Sequence, residues 1–313
     1  MTSVQHYLPS RSTGPFDLND EEAYRRWRTR KLLNYPTRVQ ELVVRIEDPN
    51  TLKREEKAAL LARCRKANMA VFDIVGSRGR DKVGVRKLGQ QLGLYRLDSN
   101  LCADEDSITS LSIRSDGRSK GYIPYTNLPL NWHTDGYYNE SDQRIRGMVL
   151  NCAQDAVEGG VNGLLDHEIA YILMRDHNPE HIRAFMHPEA MIIPANIENG
   201  IELRPKQSGP VFSMDPQSGN LLMRYTARTR NIGWRQDAHT QAAVSFLKQL
   251  LAAETPYIFN YCLKPGQGLI CNNVLHNRSA FIDSEIKARR RLLFRARYYD
   301  RVRDTDVGTV LGD

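Results

Sequence analysis

Residues 191–227 read MIIPANIENGIELRPKQSGPVFSMDPQSGNLLMRYTA, and this stretch decides the class of the fold. Its β-like runs, MIIPANI, GPVFSMD and LLMRYTA, are short and are separated by segments rich in Gly, Pro and Asn. Runs of this kind are typical of strands bounded by turns. Four more have the same character: SITSLSIRS, RGMVLNCAQ, GLICNNVLHN and RRLLFRARYYD. The sequence therefore predicts a mainly β domain, a sandwich or a jelly roll.

Helical patterns flank these strands. Asp20 is a suitable N-cap for EEAYRRWRTRKLLN, whose acidic first turn and basic later turns suit the helix dipole. Further helices are predicted in LKREEKAALLARCRKA, VGVRKLGQQLG, HEIAYILMRD and AHTQAAVSFLKQLLAAE. We therefore divide the chain into a helical N-terminal cover, residues 1–68, and a catalytic β domain with flanking helices, residues 69–313.

The composition narrows the class of protein. An apolar fraction of 41% in 313 residues supports a folded core, and no apolar run approaches the roughly 20 residues that cross a bilayer. Five scattered cysteines, never in a CxxC pair, favour a reducing cytoplasm and disfavour a structural zinc site. A net charge of +7 suits anionic partners, but no nucleic-acid-binding module accompanies it. We therefore interpret the charge as a solvated basic surface and do not expect nucleic acid as a partner.

The segment NWHTDGYY, residues 131–138, holds a histidine and an aspartate two positions apart. If it leaves a strand, alternation places His133 and Asp135 on one face, roughly 6–7 Å apart at their Cα atoms. His276 in NNVLHNRSAF follows an apolar run, where a third ligand on a neighbouring strand would lie. Two histidines and one carboxylate form the facial triad of non-haem Fe(II) oxygenases. Zinc uses the same ligands, and the isolated pair also fits a polar turn.

The run RRRLLFRARYYD holds arginines at alternate positions. Alternation places Arg291, Arg295 and Arg297 on one face of a strand, where burial requires anionic partners. Guanidinium groups bind carboxylates with two hydrogen bonds, so a dicarboxylate such as 2-oxoglutarate is a natural partner. A basic edge strand that resists aggregation is the alternative. It explains Arg297 better than Arg291 and Arg295, which lie inside an apolar run.

HTDG, EGGVNGLLDH, VLHNRSAF and RRLLFRARY follow one another over roughly residues 69–300. In order and approximate spacing they resemble the Fe(II)/2-oxoglutarate-dependent dioxygenases related to taurine dioxygenase and gamma-butyrobetaine hydroxylase. The resemblance implies a double-stranded β-helix, which is a jelly roll, with Fe(II) held by His133, Asp135 and His276. The implied reaction uses O2 and 2-oxoglutarate, hydroxylates a small molecule, and releases succinate and carbon dioxide.

The resemblance also implies a binding site for 2-oxoglutarate. Arg295 would hold its far carboxylate, and Arg291 would lie near the metal end. Asn162 stands where the taurine-dioxygenase branch has threonine, and its amide can donate a hydrogen bond to a carboxylate. Members of the family often form dimers or tetramers, so a homo-oligomer is a further expectation.

Four residues are tentative substrate contacts: Trp132, Tyr137, Tyr138 and Arg228. The alternative is that these side chains only pack the mouth of the barrel or a surface turn. Two other functions stay open, an oxygenase that acts on a nucleic acid or a protein, and a jelly-roll binding protein without turnover. The segment HNPEH matches a zinc-protease pattern that requires one unbroken helix, but Pro179 predicts a new helix start there.

Overall fold

Six helices surround the sheets of the described residues, which in this computed structural model are 14–76, 79–99, 104–114 and 122–308. Residues 1–13 of the predicted N-terminal cover and Cys102 lie outside that range. The helices are α1 (Glu21–Leu32), α2 (Arg54–Ala67), α3 (Lys82–Gln91), α4 (His167–His177), α5 (Pro179–Phe185) and α6 (Ala238–Ala252). None of the described helices is long and apolar enough to cross a membrane.

The strands are short, as the turn-rich sequence predicts. They are β1 (Val43–Ile46), β2 (Met69–Ile74), β3 (Ile108–Leu111), β4 (Leu130–His133), β5 (Gly147–Gln154), β6 (Glu158–Gly159), β7 (Asn162–Leu165), β8 (Met191–Ile193), β9 (Asn196–Glu198), β10 (Ile201–Arg204), β11 (Gln207–Gly209), β12 (Phe212–Met214), β13 (Leu221–Met223), β14 (Gly233–Trp234), β15 (Phe259–Tyr261), β16 (Gln267–Cys271), β17 (Leu275–Arg278), β18 (Phe281–Ile282) and β19 (Leu292–Tyr298). The predicted class, mainly β with flanking helices, is confirmed.

Two sheets enclose the main core. One has six strands in the order β1-β2-β16-β5-β19-β3, and the other has four in the order β15-β7-β17-β4. Leu150 and Leu293 of the larger sheet and Leu164 and Leu275 of the smaller sheet belong to one cluster of buried side chains. The interior between the sheets is therefore apolar, and any polar group that points into it needs a partner.

Helices cover the other face of the six-stranded sheet. Leu60 of α2 and Leu88 of α3 pack with Phe72 of β2 and Ala296 of β19 in a second buried cluster. The strands of this sheet are thus buried on both sides. Successive side chains of β19 enter different cores, since they alternate between the two faces of the strand.

Helix boundaries follow the predicted capping residues. The Asp20 carboxylate accepts a hydrogen bond from the backbone N–H of Ala23, as expected for the N-cap of α1. Asn178 separates α4 from α5 and caps α5, whose first residue is Pro179. The prediction of a new helix start is confirmed, so HNPEH does not lie on the single helix that a zinc-protease pattern requires.

The run GLICNNVLHN does not form the single strand that its sequence predicts. It forms two strands in different sheets, β16 and β17, and not one strand that leads to His276. The break lies at Asn272 and Asn273, and Asn273 has a left-handed backbone with φ of 50°. Asparagine tolerates this conformation better than most residues, so the chain can turn sharply from one sheet to the other.

The N-terminal segment is joined to the rest of the chain in two ways. β1 pairs in parallel with β2 at the edge of the large sheet. Lys31 of α1 is 3% exposed, and its ammonium lies 2.7 Å from a carboxylate oxygen of Asp166 and 2.5 Å from one of Glu168. Both contacts join residues on either side of position 68. The division into two domains at that position stays a prediction.

Candidate active site

β4 and β17 bring two histidines together inside the smaller sheet. His133, the last residue of β4, pairs opposite His276 of β17, and the ring centroids are 4.2 Å apart. Asp135 follows two residues after His133, and its Oδ1 lies 3.7 Å from His133 Nε2. One potential ligand atom from each residue lies within 4.8 Å of the other two. The structure thus brings together the three residues of the sequence-predicted triad.

Backbone carbonyls orient both imidazole rings. Nδ1 of His133 lies 2.8 Å from the carbonyl oxygen of Asn131, and Nδ1 of His276 lies 2.9 Å from that of Val274. A carbonyl oxygen only accepts, so each Nδ1 carries a hydrogen and donates it. Metal-binding histidines make the same hydrogen bond from the ring nitrogen that does not bind the metal ion. In each ring Nε2 is therefore the nitrogen left to bind a metal ion.

Asp135 is fixed through its backbone and through one carboxylate oxygen. Its N–H donates to Asn273 Oδ1 at 2.8 Å, and Asn273 Nδ2 donates back to its carbonyl oxygen at 3.0 Å. Arg295 Nη1 donates to Asp135 Oδ1 at 3.2 Å. Burial would raise the pKa of Asp135, but the charge of Arg295 and the contact with His133 hold it well below its usual range. The carboxylate is therefore ionised.

The donor set fits a divalent iron ion. Oδ2 of Asp135 is buried and has no hydrogen-bond partner, a cost that a metal ion would remove. Burial, and next the neighbouring His133, lower the pKa of His276 to about 4, so its ring is neutral. Two histidines and one carboxylate form the facial triad. Within the described ranges, no other group of three His, Cys, Asp or Glu side chains meets in this way.

β19 carries the predicted arginine face. Leu293 lies in the core between the two sheets, whereas Phe294 and Ala296 pack with the helix-covered core, so the predicted alternation is confirmed. Arg297 is 2% exposed and donates both to Asp98 and to the hydroxyl of Tyr138. β19 lies between β5 and β3 and is not an edge strand. The edge-strand explanation of Arg297 is therefore wrong.

Arg295 and Arg291 differ in their partners, and the implied assignment of each to one end of 2-oxoglutarate stays a prediction. Arg295 contacts the metal-ligand candidate Asp135, so it lies at the metal end. Arg291 is 5% exposed, and no carboxylate of the described residues lies within ion-pair distance of its guanidinium. It stacks on the ring of Phe281 at 4.8 Å, and Arg278 stacks on the same ring at 4.9 Å. Arg291 is thus the guanidinium that lacks an anion.

Asn162 lies close to this unpaired arginine. Its side-chain amide donates to the carbonyl oxygens of Tyr261 at 3.3 Å and Gly160 at 3.5 Å. Gly160 has φ of +70°, and a Cβ there would lie 3.5 Å from Arg291 Nε. The backbone of Gly160 therefore packs next to the guanidinium. The predicted hydrogen bond from Asn162 to 2-oxoglutarate stays a prediction, because its N–H groups are directed at backbone oxygens.

Three of the four tentative substrate residues lie beside the triad. The ring of Tyr137 lies 6.4 Å from that of His133, and the ring of Tyr138 lies 5.1 Å from that of Tyr137. Arg228 Nη1 donates to the hydroxyl of Tyr137 at 3.0 Å. Tyr137 thus lies next to His133, and Tyr138 and Arg228 contact Tyr137; a role in substrate binding stays a prediction.

Trp132 does not belong to this group. Strand alternation directs it away from the face of β4 that carries His133. A Cβ at Gly163 would lie 2.9 Å from the Trp132 ring and 2.6 Å from Asn277 Oδ1, which shows how closely the indole packs there. Trp132 therefore packs against Gly163 of β7, and it also contacts the edge of the main buried cluster. The sequence already contained this information, because adjacent residues of a strand point to opposite faces and Trp132 directly precedes His133.

Sequence reasoning missed Asn273 and Arg204. Asn273 holds the backbone of Asp135, and its only sequence signal was an Asn-Asn pair between apolar runs. Arg204 of β10 lies over the ring of Tyr138, with its guanidinium carbon 5.9 Å from the centroid. Because it is distant from the motifs along the chain, only the fold reveals this contact.

Solved oxygenase structures are similar to this chain in fold. An asparagine oxygenase in complex with Fe(II), 2S,3S-3-hydroxyasparagine and succinate is 14% identical, with a TM-score of 0.57 over 82% of this chain and 93% of that one. The non-heme iron oxygenase OrfP in complex with Fe, succinate and (3S)-hydroxy-L-Arg is 15% identical, with a TM-score of 0.56 over 82% of both chains. PvcB from Pseudomonas aeruginosa is 12% identical, with a TM-score of 0.53 over 81% of this chain and 82% of that one.

Sequence comparison gives the family. No curated protein matches the chain. The family model described as taurine catabolism dioxygenase TauD, TfdA family matches residues 28–297, which is most of the sequence. The match includes both histidines and the aspartate of the triad together with Arg291 and Arg295, and it confirms the predicted class of Fe(II)/2-oxoglutarate-dependent dioxygenases. The chain therefore belongs to the taurine catabolism dioxygenase TauD, TfdA family.

Proposed function

We propose that this dioxygenase hydroxylates a small molecule and binds its Fe(II) through His133, Asp135 and His276. The observation that carries the proposal is that one potential ligand atom of each residue lies within 4.8 Å of the other two, while Oδ2 of the buried Asp135 has no hydrogen-bond partner. We also propose that the two sheets with a shared core form the double-stranded β-helix of the family. When bound, iron supplies the centre at which O2 reacts with 2-oxoglutarate, with release of succinate and carbon dioxide.

The protein side chains have separate tasks in this proposal. Arg295 holds Oδ1 of Asp135, which leaves Oδ2 for the metal ion. Arg291 binds the far carboxylate of 2-oxoglutarate, because this buried arginine, directly before β19, has no carboxylate of the described residues within ion-pair distance. Apolar surroundings exclude water and strengthen the charge-assisted hydrogen bonds.

A small molecule is favoured over a nucleic acid or a protein as substrate. In the WRTRK segment of α1, Trp27 is buried, Arg28 pairs with Asp176, and Lys31 pairs with buried carboxylates. The basic cluster that would suit a large anionic partner is thus mostly engaged within the chain. The asparagine oxygenase and OrfP structures hold hydroxylated amino acids, which supports a small substrate.

Succinate release tests the proposal directly. The purified protein is expected to form succinate from 2-oxoglutarate, and chelation of Fe(II) or removal of O2 should stop the reaction. A panel of amino acids and other small organic acids should include compounds that accelerate it. Stoichiometric iron binding without any succinate would support a non-catalytic binding protein instead. A cytoplasmic location and a homo-oligomer stay predictions.

Arg291→Gln is expected to raise the Michaelis constant for 2-oxoglutarate by about 10- to 100-fold, since a lost hydrogen bond to a charged group costs about 1.5–3 kcal/mol. Steady-state kinetics at saturating substrate measure this. Arg290→Gln is the matched control, because Arg290 is exposed and its side chain bonds only to a backbone carbonyl. An unchanged Michaelis constant for 2-oxoglutarate in Arg291→Gln would indicate that Arg295 binds the far carboxylate instead.

A further inference from the structure

Four cysteines lie in the described residues, and they differ in their access to solvent. Cys64, Cys152 and Cys271 are buried, whereas Cys262 is partly exposed. Cys262 directly follows β15, and its thiol donates a weak hydrogen bond to the carbonyl oxygen of Gly159, with the sulfur 3.6 Å from that oxygen. Buried structural thiols are inert, whereas reactive cysteines are partly exposed. Cys262 is therefore the described thiol that dissolved reagents reach most easily.

A short glycine segment connects this thiol to Arg291. The carbonyl oxygen of Gly159 accepts from Cys262, and a Cβ on the next residue, Gly160, would lie 3.5 Å from Arg291 Nε. Burial lowers the pKa of Arg291, and electrostatic interactions with neighbours that include Cys152 and Cys262 oppose that effect. The thiol of Cys262 thus lies in the surroundings of the guanidinium that we propose to bind 2-oxoglutarate.

Asn162 joins the two ends of this arrangement. Its side-chain amide donates to the carbonyl oxygen of Tyr261, the residue before Cys262, at 3.3 Å and to that of Gly160 at 3.5 Å. A shift of the chain at Cys262 therefore disturbs the hydrogen bonds that hold Gly160 beside Arg291. Bidentate hydrogen bonds between a guanidinium and a carboxylate depend on geometry. The affinity of Arg291 for a carboxylate is therefore sensitive to a group added at Cys262.

Cys152 provides an internal comparison. It belongs to β5, is fully buried in the main core and pairs opposite Leu293 of β19. Burial raises the pKa of its thiol to about 12, and the charge of Arg291 acts in the opposite direction. Cys152 therefore lies near the same arginine but stays protonated and inaccessible. Among the described cysteines, Cys262 alone combines partial exposure with a place beside Arg291.

We propose that Cys262 is a modification site, and that alkylation or peroxide oxidation of its thiol weakens the binding of 2-oxoglutarate. The inference rests on the proposed function, in which Arg291 binds the far carboxylate. With hydrogen peroxide, the thiolate sulfur bonds to one oxygen while the O–O bond breaks. The sulfur is oxidised to a sulfenic acid, the peroxide is reduced, and the departing hydroxide takes up the thiol proton as water. Excess dithiothreitol reduces the sulfenic acid to the thiol and is itself oxidised to its disulfide.

The first test measures the reactivity of each thiol. The Fe(II) holoenzyme is treated with iodoacetamide in the absence of O2, and mass spectrometry follows the label at each cysteine. Cys262 should react at least about 10-fold faster than Cys152, because only the former is accessible. Saturating 2-oxoglutarate should slow the labelling of Cys262. An equal labelling rate with and without 2-oxoglutarate would separate the thiol from the co-substrate site and overturn the proposal.

The second test measures affinity and does not need the natural substrate. Calorimetric titration of the holoenzyme without O2 gives the Kd of 2-oxoglutarate. Alkylation or oxidation should raise it by about 10- to 100-fold, the effect of losing one hydrogen bond to a charged group. Dithiothreitol should reverse the effect of peroxide but not that of iodoacetamide.

Two variants assign the effect to one thiol. Cys262→Ser should bind 2-oxoglutarate as the untreated protein does and should respond to neither reagent. Cys152→Ala is the matched control, since it removes the buried thiol near the same arginine, and it should respond as the unchanged chain does. An unchanged Kd after full modification, or an effect that persists in Cys262→Ser, contradicts the proposal.

The proposed function is tested separately by succinate formation in the unmodified protein. If succinate forms and modification of Cys262 leaves the Kd unchanged, only the thiol proposal fails. If the iron-loaded protein binds 2-oxoglutarate but forms no succinate, the proposed function fails. The comparison with Cys262→Ser then still decides whether this thiol controls binding.

Discussion

Asp135→Ala is expected to lose bound Fe(II) and 2-oxoglutarate turnover together. The substitution removes the only carboxylate among the three candidate ligands, and its Oδ2 has no hydrogen-bond partner. Loss of a residue that only orients a metal ligand costs about 10- to 100-fold in metal affinity or activity, so loss of the ligand itself should cost more. Iron per chain and succinate formation, measured on the same preparation, check this result. His133→Ala and His276→Ala should behave in the same way.

The control for this prediction is His239→Ala, which removes an exposed histidine from α6. It should keep both iron and activity. Asp135→Ala also leaves the buried Arg295 without its carboxylate, so Asp135→Asn provides a variant of similar shape, and circular dichroism shows whether each variant folds. Full iron occupancy in both His133→Ala and Asp135→Ala would contradict the assignment of the metal site.

Lys31→Met is expected to lower the free energy of unfolding by about 3–5 kcal/mol, the cost of breaking a buried ion pair from one side. The ammonium of Lys31 lies between two carboxylates, those of Asp166 and Glu168, which are both less than a tenth exposed. Without it, two buried negative charges lose their counter-ion. Urea denaturation followed by circular dichroism measures the change.

Arg25→Met on the same helix is the control. Arg25 pairs with Glu21, but its side chain is 76% exposed, and exposed pairs contribute under about 1 kcal/mol. A triple variant that combines Lys31→Met with Asp166→Asn and Glu168→Gln should regain part of the lost stability. It no longer contains the two buried carboxylates that lack a counter-ion. If Lys31→Met were no more damaging than Arg25→Met, Lys31 would not stabilise this cluster.

Much of the site could be predicted because it depends on local periodicity. The two-residue spacing of His133 and Asp135 and the alternate arginines of β19 are properties of a single strand. Alternation alone therefore gives the face on which each side chain lies. The same rule places Trp132 on the face opposite His133, so the aromatic residues of the segment do not form one group.

The other features of the site depend on the topology of the fold, which cannot be predicted from local periodicity. The contact between Arg295 and Asp135 follows from where β19 passes Asp135, and the order of Arg291 and Arg295 along the chain is compatible with either one making it. The break between β16 and β17 depends on Asn273, whose side chain bonds to Asp135, 138 residues away. Arg204 of β10 meets the ring of Tyr138 although the two are distant along the chain.

The parallel pairing of β1 with β2 limits where the chain can be cut. A fragment that begins at residue 69 would leave one side of β2 with unpaired N–H and C=O groups. Exposed strand edges recruit further chains and promote aggregation, so this fragment should self-associate whatever its catalytic competence. Loss of activity after such a cut would therefore say nothing about substrate recognition by the first 68 residues. Substitution of exposed side chains on α1 gives the interpretable experiment.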